Sequence, residues 1–235
     1  MTAVENAHPE CVVLLLAHKA NVDVLTSDNK TIIMGAALHC QYAGIKFIDA
    51  RCQCIHLLLD NGDVAVNWNF YLQCKTALML ATWNVQLTRL LIEAGAFVNY
   101  LDNIRRSALW CAIKGKSSEV VELLLDSGAN PNVVDNYGNT PLHQACSSHT
   151  LVPAIVESLL RHGTDIGAVN GDGKTALQCV LSRSVRYASR ETVIQLIDTY
   201  EHIRALEVSS AEWIRLARNE RNRPQAIQRQ RRRRH

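Results

Sequence analysis

Asp135-Asn136-Tyr137-Gly138-Asn139-Thr140-Pro141-Leu142-His143-Gln144-Ala145-Cys146 is the stretch whose reading decides the fold. Asp135 to Asn139 has the composition of a turn, with Gly138 free to take positive φ. Thr140 can cap a helix. Pro141 then sits at the first helical position, where a missing N–H costs nothing. Downstream, Ile155, Val156, Leu159 and Leu160 form the apolar stripe of a second helix. Gly163 follows and can close that helix in the left-handed conformation.

The same phrase returns in weakened form. Thr31-Ile32-Ile33-Met34, Thr76-Ala77-Leu78-Met79, Ser107-Ala108-Leu109-Trp110 and Thr175-Ala176-Leu177-Gln178 hold one place in successive segments. Gly62, Gly95, Gly128 and Gly163 follow them at spacings of 33, 33 and 35 residues. A fixed period of this length marks stacked helical hairpins. The pattern resembles the ankyrin repeat, and the resemblance covers nearly all of the body, about residues 1–200. It implies an all-α solenoid of stacked helix-turn-helix units with projecting β-turn fingers. The units fall at about 1–25, 26–69, 70–101, 102–134, 135–169 and 170–204 within a domain 1–208. Ser209-Ser210-Ala211-Glu212 reads as a capping box opening a capping helix over 209–221, and 222–235 reads as a basic disordered tail.

The departures from the pattern are specific. Thr31 to Gly62 is ten residues longer than Ser107 to Gly128, with the surplus around Cys40 to Cys52. An insertion is also expected around Ser182 to Ser189. Lys19 replaces a closing glycine, while Cys74 and Arg105 replace the turn glycine, so those two turns are expected to be strained or reshaped. Glu5 to Leu16 looks like the end of one helix and all of the next, which reads as a shortened form whose first repeat is incomplete.

The bulk composition fits this organisation. With 48% hydrophobic and 20% charged residues, 235 residues can bury a sizeable core and read as a soluble globular chain. The longest apolar stretch, Cys11 to Ala17, is far short of the ~20 residues that span a bilayer. Glu5, His8, Pro9 and Glu10 leave no basic n-region, so a secretory leader is not expected. Cys111, Cys146 and Cys179 fall at helix positions, and Cys11 is expected on the apolar face of the first helix. Reduced thiols in a cytosolic or nuclear protein are the corresponding expectation.

Little in the chain points to chemistry. Asn170-Gly171-Asp172-Gly173-Lys174-Thr175 lacks the four-residue spacer of a phosphate loop and lies on the repeat turn. His39, Cys40, Cys52, Cys54 and His56 lack the paired spacing of a zinc site. They read as one thiol packed inward and one beside the inserted loop. His143 stands near Cys146, but as the fourth letter of the phrase the resemblance implies that it hydrogen-bonds neighbouring turns. His149, His162 and His202 read as surface or turn residues. No catalytic residue, metal or cofactor is expected.

What the resemblance does imply is a row of fingers beside a concave face made by the first helices. The fingers offer Leu72, Gln73 and Lys75, then Asn103, Ile104 and Arg106, then Asn136, Tyr137 and Asn139, then Asp172 and Lys174. The ends of the first helices add Trp83 and Asn84, Lys114, Ser147 and Ser148, and Arg183. Exposed apolar and aromatic side chains are typical binding anchors, although Trp83 and Ile104 can equally pack on their own elements. The implied function is a non-enzymatic scaffold or adaptor, a monomer that binds a protein partner.

The charge adds a second theme. Residues 212–235 hold nine Arg and two Glu, a net +7, against −4 for the remainder. Arg229, Arg231, Arg232, Arg233 and Arg234 fit a nuclear import signal read by an importin, a nucleic-acid contact, or a solvated tail. A ubiquitin-ligase substrate-recognition subunit, or an inhibitor masking a partner's basic segment, are rival readings of the body.

Overall fold

One local bond recurs at the start of five helices. The hydroxyl oxygens of Thr31, Thr76, Ser107, Thr140 and Thr175 accept from the N–H three residues on, at 3.3–3.4 Å. This satisfies a donor that the helix itself cannot. The computed structural model describes residues 2–26, 29–42, 48–60, 65–70, 74–148, 151–182 and 188–205. Leu72, Gln73, Gly62, His149, Arg183, the expected capping helix and the Arg tail lie outside the described residues.

Twelve helices among the described residues form six pairs. They are α1 (Thr2–Glu5) with α2 (Pro9–Ala17), and α3 (Ile32–Tyr42) with α4 (Ile48–Asp60). Next come α5 (Ala77–Ala81) with α6 (Val85–Glu93), and α7 (Ala108–Gly115) with α8 (Ser118–Asp126). The last are α9 (Pro141–Ser147) with α10 (Pro153–Arg161), and α11 (Ala176–Leu181) with α12 (Ala188–Ala205). First helices pack on first helices and second helices on second helices, pair after pair, giving two parallel rows. A short antiparallel hairpin, β1 (Asn69–Phe70) with β2 (Lys75–Thr76), precedes α5. The core lies between the rows. The stripe Ile155, Val156, Leu159 and Leu160 is buried, as are Val120, Val121, Leu124 and Leu125 one pair earlier.

A ladder of asparagines joins successive pairs. Asn67 donates to the Gly95 carbonyl at 3.1 Å and accepts from the Phe97 N–H at 2.7 Å. Asn99 does the same with Gly128 and Asn130 at 2.9 and 2.8 Å. Asn132 repeats it with Gly163 and Asp165 at 3.1 and 2.8 Å. Gly95, Gly128 and Gly163 have φ of 82°, 84° and 79°, as their role as helix closers requires.

Three expectations need correction. Cys11 is exposed, not on a buried face. Only Val12 of α2 is buried against the stack, while Leu14 is 62% exposed. The reason is that α2 packs on α1 and α4, which leaves its remaining apolar side in solvent. The surplus after Thr31 is mostly not loop. Helices α3 and α4 run 11 and 13 residues, against 8 and 9 for α7 and α8, so longer helices absorb most of it. Cys52 and Cys54 are both packed inward, at 2% and 0% exposure.

The turns at Cys74 and Arg105 are strained rather than reshaped. Both residues adopt the left-handed conformation of Gly138 and Gly173, with φ of 50° and 62°. Replacing Cys74 with Gly should therefore raise unfolding stability by about 0.5–1 kcal/mol, read by denaturant titration. Arg105→Gly should gain less, because the Arg105 Nε bond to the Val134 carbonyl at 3.3 Å is lost. In the same assay Asn99→Ala should destabilise by about 1–2 kcal/mol, since two inter-repeat hydrogen bonds disappear.

Candidate functional site

The turns preceding α7, α9 and α11 are built around one inward side chain each. Asp102 Oδ1 accepts from the N–H groups of Ile104 and Arg106 at 3.0 and 2.8 Å. Asp135 does the same for Tyr137 and Asn139 at 2.8 and 2.9 Å, and Asn170 for Asp172 and Lys174 at 3.0 and 3.1 Å. Asp102 and Asp135 are buried by this role. The turns are also tied to each other. Asn136 N–H donates to the Ile104 carbonyl, and Gly171 N–H to the Tyr137 carbonyl. A Cβ on Gly171 would stand 2.6 Å from the Tyr137 oxygen, so the close approach of the two turns requires glycine there. With the turns held this way, Asn136, Tyr137, Gly138 and Asn139 line a depression with Asn170, Gly171 and Asp172.

The sequence-predicted residues divide by what they already do. Asn103, Asn136, Tyr137, Lys114, Ser147, Asp172 and Lys174 are exposed, and Tyr137 is 71% exposed. Others hold the fold. Asn84 caps α6 through the Leu87 N–H at 2.8 Å. Asn139 donates to Asp135 and accepts from Asn170 Nδ2 at 3.1 Å. Arg106 pairs with Asp102 at 2.9 Å. Trp83, Ile104, Lys75 and Ser148 are half-buried, and the Trp83 indole N–H is covered and without an acceptor. His143 is buried, as its place in the phrase implies. Its Nδ1 lies 2.8 Å from the Thr140 hydroxyl and its Nε2 lies 2.9 Å from the Lys174 carbonyl on the next turn.

Sequence reasoning missed Trp110. It occupies the phrase position of His143, but its indole N–H is covered and finds no acceptor. Its half-buried ring instead lies under two cations, Arg106 at 4.7 Å and Lys114 Nζ at 5.9 Å from the centroid. Cys111 is beside them. Burial pushes its thiol up, against the opposing pull of Lys75, Arg106 and Lys114. Trp110 carried a legible signal, since an aromatic replaces a polar letter in a repeated phrase.

The thiol chemistry is quiet. Burial, with a contribution from Cys179, pushes the Cys146 thiol up to about 12. The thiolate is the nucleophile, so Cys146 stays inert at neutral pH despite its nearness to His143. Because the folded state keeps this proton, its contribution to stability is full below the ordinary thiol range and falls as pH rises from there toward about 12. Maleimide labelling of the native chain, mapped by mass spectrometry, should modify exposed Cys11 first and Cys146 only as the protein unfolds.

Comparison with known proteins agrees with this architecture. The family description "Ankyrin repeats (3 copies)" matches residues 47–135 and 84–168. B-cell lymphoma 3 protein of Homo sapiens is 32% identical over 127 residues, covering 53% of this chain and 27% of that protein. Ankyrin repeat domain-containing protein 63 of Mus musculus is 34% identical over 119 residues, 47% of this chain and 30% of that protein. NF-kappa-B inhibitor alpha of Sus scrofa is 36% identical over 87 residues, 35% of this chain and 27% of that protein. The chain thus covers less than a third of the length of these curated relatives. A solved ankyrin repeat domain from Acinetobacter baumannii AYE shares the fold with a TM-score of 0.72 at 21% identity, over 85% of this chain and 96% of that one. With the family match extending over more than half of its residues and the phased turns, caps and closing glycines in place, this chain belongs to the ankyrin repeat family.

Proposed function

We propose that this chain is a non-enzymatic scaffold or adaptor that binds a protein partner through its turns and the exposed side of its first-helix row. Ankyrin repeats generally mediate protein–protein interaction, and the family is generally non-enzymatic. The observation that carries the reading is the turn row itself. Its inward positions are fully used by Asp102, Asp135 and Asn170, while the side chains of Asn103, Asn136, Tyr137 and Asp172 are exposed. A tyrosine 71% exposed on a rigid turn is a ready anchor. One relative is named for inhibiting another protein, which fits a stack acting by occupancy.

No helix among the described residues is long and apolar enough to cross a membrane. We place the protein, as a monomer, in the cytoplasm or nucleus, with Arg229 and Arg231–Arg234 as an import signal read by an importin. Nucleic-acid contact through the same arginines is the reading that a salt titration separates. Affinity capture with the full chain, with Tyr137→Ala and with the five tail arginines changed to Gln is the test. Tyr137→Ala should leave melting unchanged, as expected for an exposed site where effects stay within about 0.5 kcal/mol, and should lose the partner. Unchanged capture would remove the turn row from the interface. The Gln variant should keep the partner and lose nuclear accumulation in imaging.

A further inference from the structure

The two helix rows differ in charge. Helices α3, α5, α7, α9 and α11 contain no Asp or Glu. Every second helix contains at least one, including Glu93, Glu119, Glu122, Asp126 and Glu157. On that second row the acids are partly satisfied between pairs. Glu122 pairs with Arg161 at 3.2 Å and accepts from Ser158, and Asp126 meets His162 at 3.2 Å. On the turn row Asp102 and Asp135 are buried acceptors of turn N–H groups, leaving Asp172 as the exposed acid between residues 74 and 182. Between residues 74 and 182 the exposed charge on the first helices is therefore Lys114, with Asp172 an exposed acid on the turns beside them.

We propose that the face of α7 and its flanking turns docks an acidic peptide segment of a partner protein, with carboxylates seated on Lys75 and on Lys114, which lies over the Trp110 ring. The inference rests on the reading that the turn and first-helix side binds protein. Lys75, Arg106 and Lys114 each act electrostatically on the buried Cys111 thiol, with Asp102 acting against them. Arg106 and Lys114 both lie over the indole. Among the described residues Lys75 and Lys114 have no acidic partner, whereas Arg106 is matched by Asp102. One unpaired lysine over an aromatic ring, with Lys75 as a second cation lacking an acidic partner among the described residues, matches carboxylates beside an apolar side chain. The two lysines fall short of the continuous basic groove that tracks a nucleic-acid backbone. Charge complementarity of this kind selects partners and sets register more than it adds raw affinity.

The test is selection of a random-peptide display library on the full chain. Recovered peptides are then synthesised with a fluorescein label and titrated by anisotropy. Lys75→Glu, Lys114→Glu, Trp110→Phe and the second-row control Arg89→Glu are compared, each checked for unchanged melting. Recovered peptides should be rich in Asp and Glu, and each lysine reversal should weaken them by about tenfold or more, with Arg89→Glu neutral. Replacing Glu by Gln in the peptide should reproduce the loss, and added salt should weaken binding.

Peptides without acidic enrichment that are lost on Tyr137→Ala would overturn this inference while keeping the turn row as a binding surface. Peptides indifferent to Lys75, Lys114 and Tyr137 alike would sink both readings. Recovery of no peptide overturns the acidic-segment inference, and capture by the full chain then decides the broader one. A labelled oligouridylate that binds and is lost on the same lysine reversals would assign the face to nucleic acid instead.

Discussion

No helix pair in this chain closes its own core, and the rest of the structure follows from that. First helices bury their apolar residues on first helices, and second helices on second helices. Leu87, Leu124 and Leu159 are fully buried on α6, α8 and α10, which pack on one another in turn. Burial of one such side chain contributes roughly 1.5–3 kcal/mol, against about 1 kcal/mol for a typical hydrogen bond. Packing therefore supplies most of the cohesion. The Asn67, Asn99 and Asn132 ladder has another task. It sits at partly or fully exposed loop positions, so it fixes the register of one pair on the next rather than holding them by strength alone.

Register matters because the turns are coupled as well. The junction between the Asp135 and Asn170 turns carries Gly171 N–H to Tyr137 carbonyl, Asn170 to Asn139, and His143 to the Lys174 carbonyl. The junction between the Asp102 and Asp135 turns has Asn136 N–H to Ile104 carbonyl and Arg105 to Val134. There the histidine position is Trp110, whose covered N–H finds no acceptor. A buried unpaired donor costs about 1–3 kcal/mol. Packing of the indole and its two stacked cations offsets that loss without tying the next turn.

Much of this was legible in the sequence because the repeat imposes one phase on many residues. Thr140 and Gly163 each need a particular backbone, and the recurrence of their residue types marks caps and closers in the sequence itself. The asparagine ladder recurs just as regularly at Asn67, Asn99 and Asn132, but a lone polar residue in a loop has no local requirement that betrays a bond about thirty residues away. Cys11 was misread for a related reason. Its periodicity belongs to an amphipathic helix, yet burial depends on what lies opposite, and α2 packs mainly on α1 and α4. Arg106 and Asn139 looked like free finger residues because their partners, Asp102 and Asp135, are themselves turn residues four positions away. The helical lengthening in α3 and α4 was invisible as such, since inserted length carries no label of loop or helix.

The division of charge between the rows follows from the same constraint. A first helix in this stack is short, five to eight residues in α5, α7, α9 and α11, and its small side chains Ala77, Ala108, Ala112 and Ala145 are buried to let neighbours approach. Few of its positions remain outside, so a single lysine or tryptophan there dominates the local surface. The second row is longer in several pairs, faces more water, and can carry acids that pair across it, as Glu122 does with Arg161. Packing and surface charge thus draw on different residues of the same pair. That separation is what lets Trp110 depart from the repeated phrase while Ala108, Leu109 and Ala112 stay buried beside it.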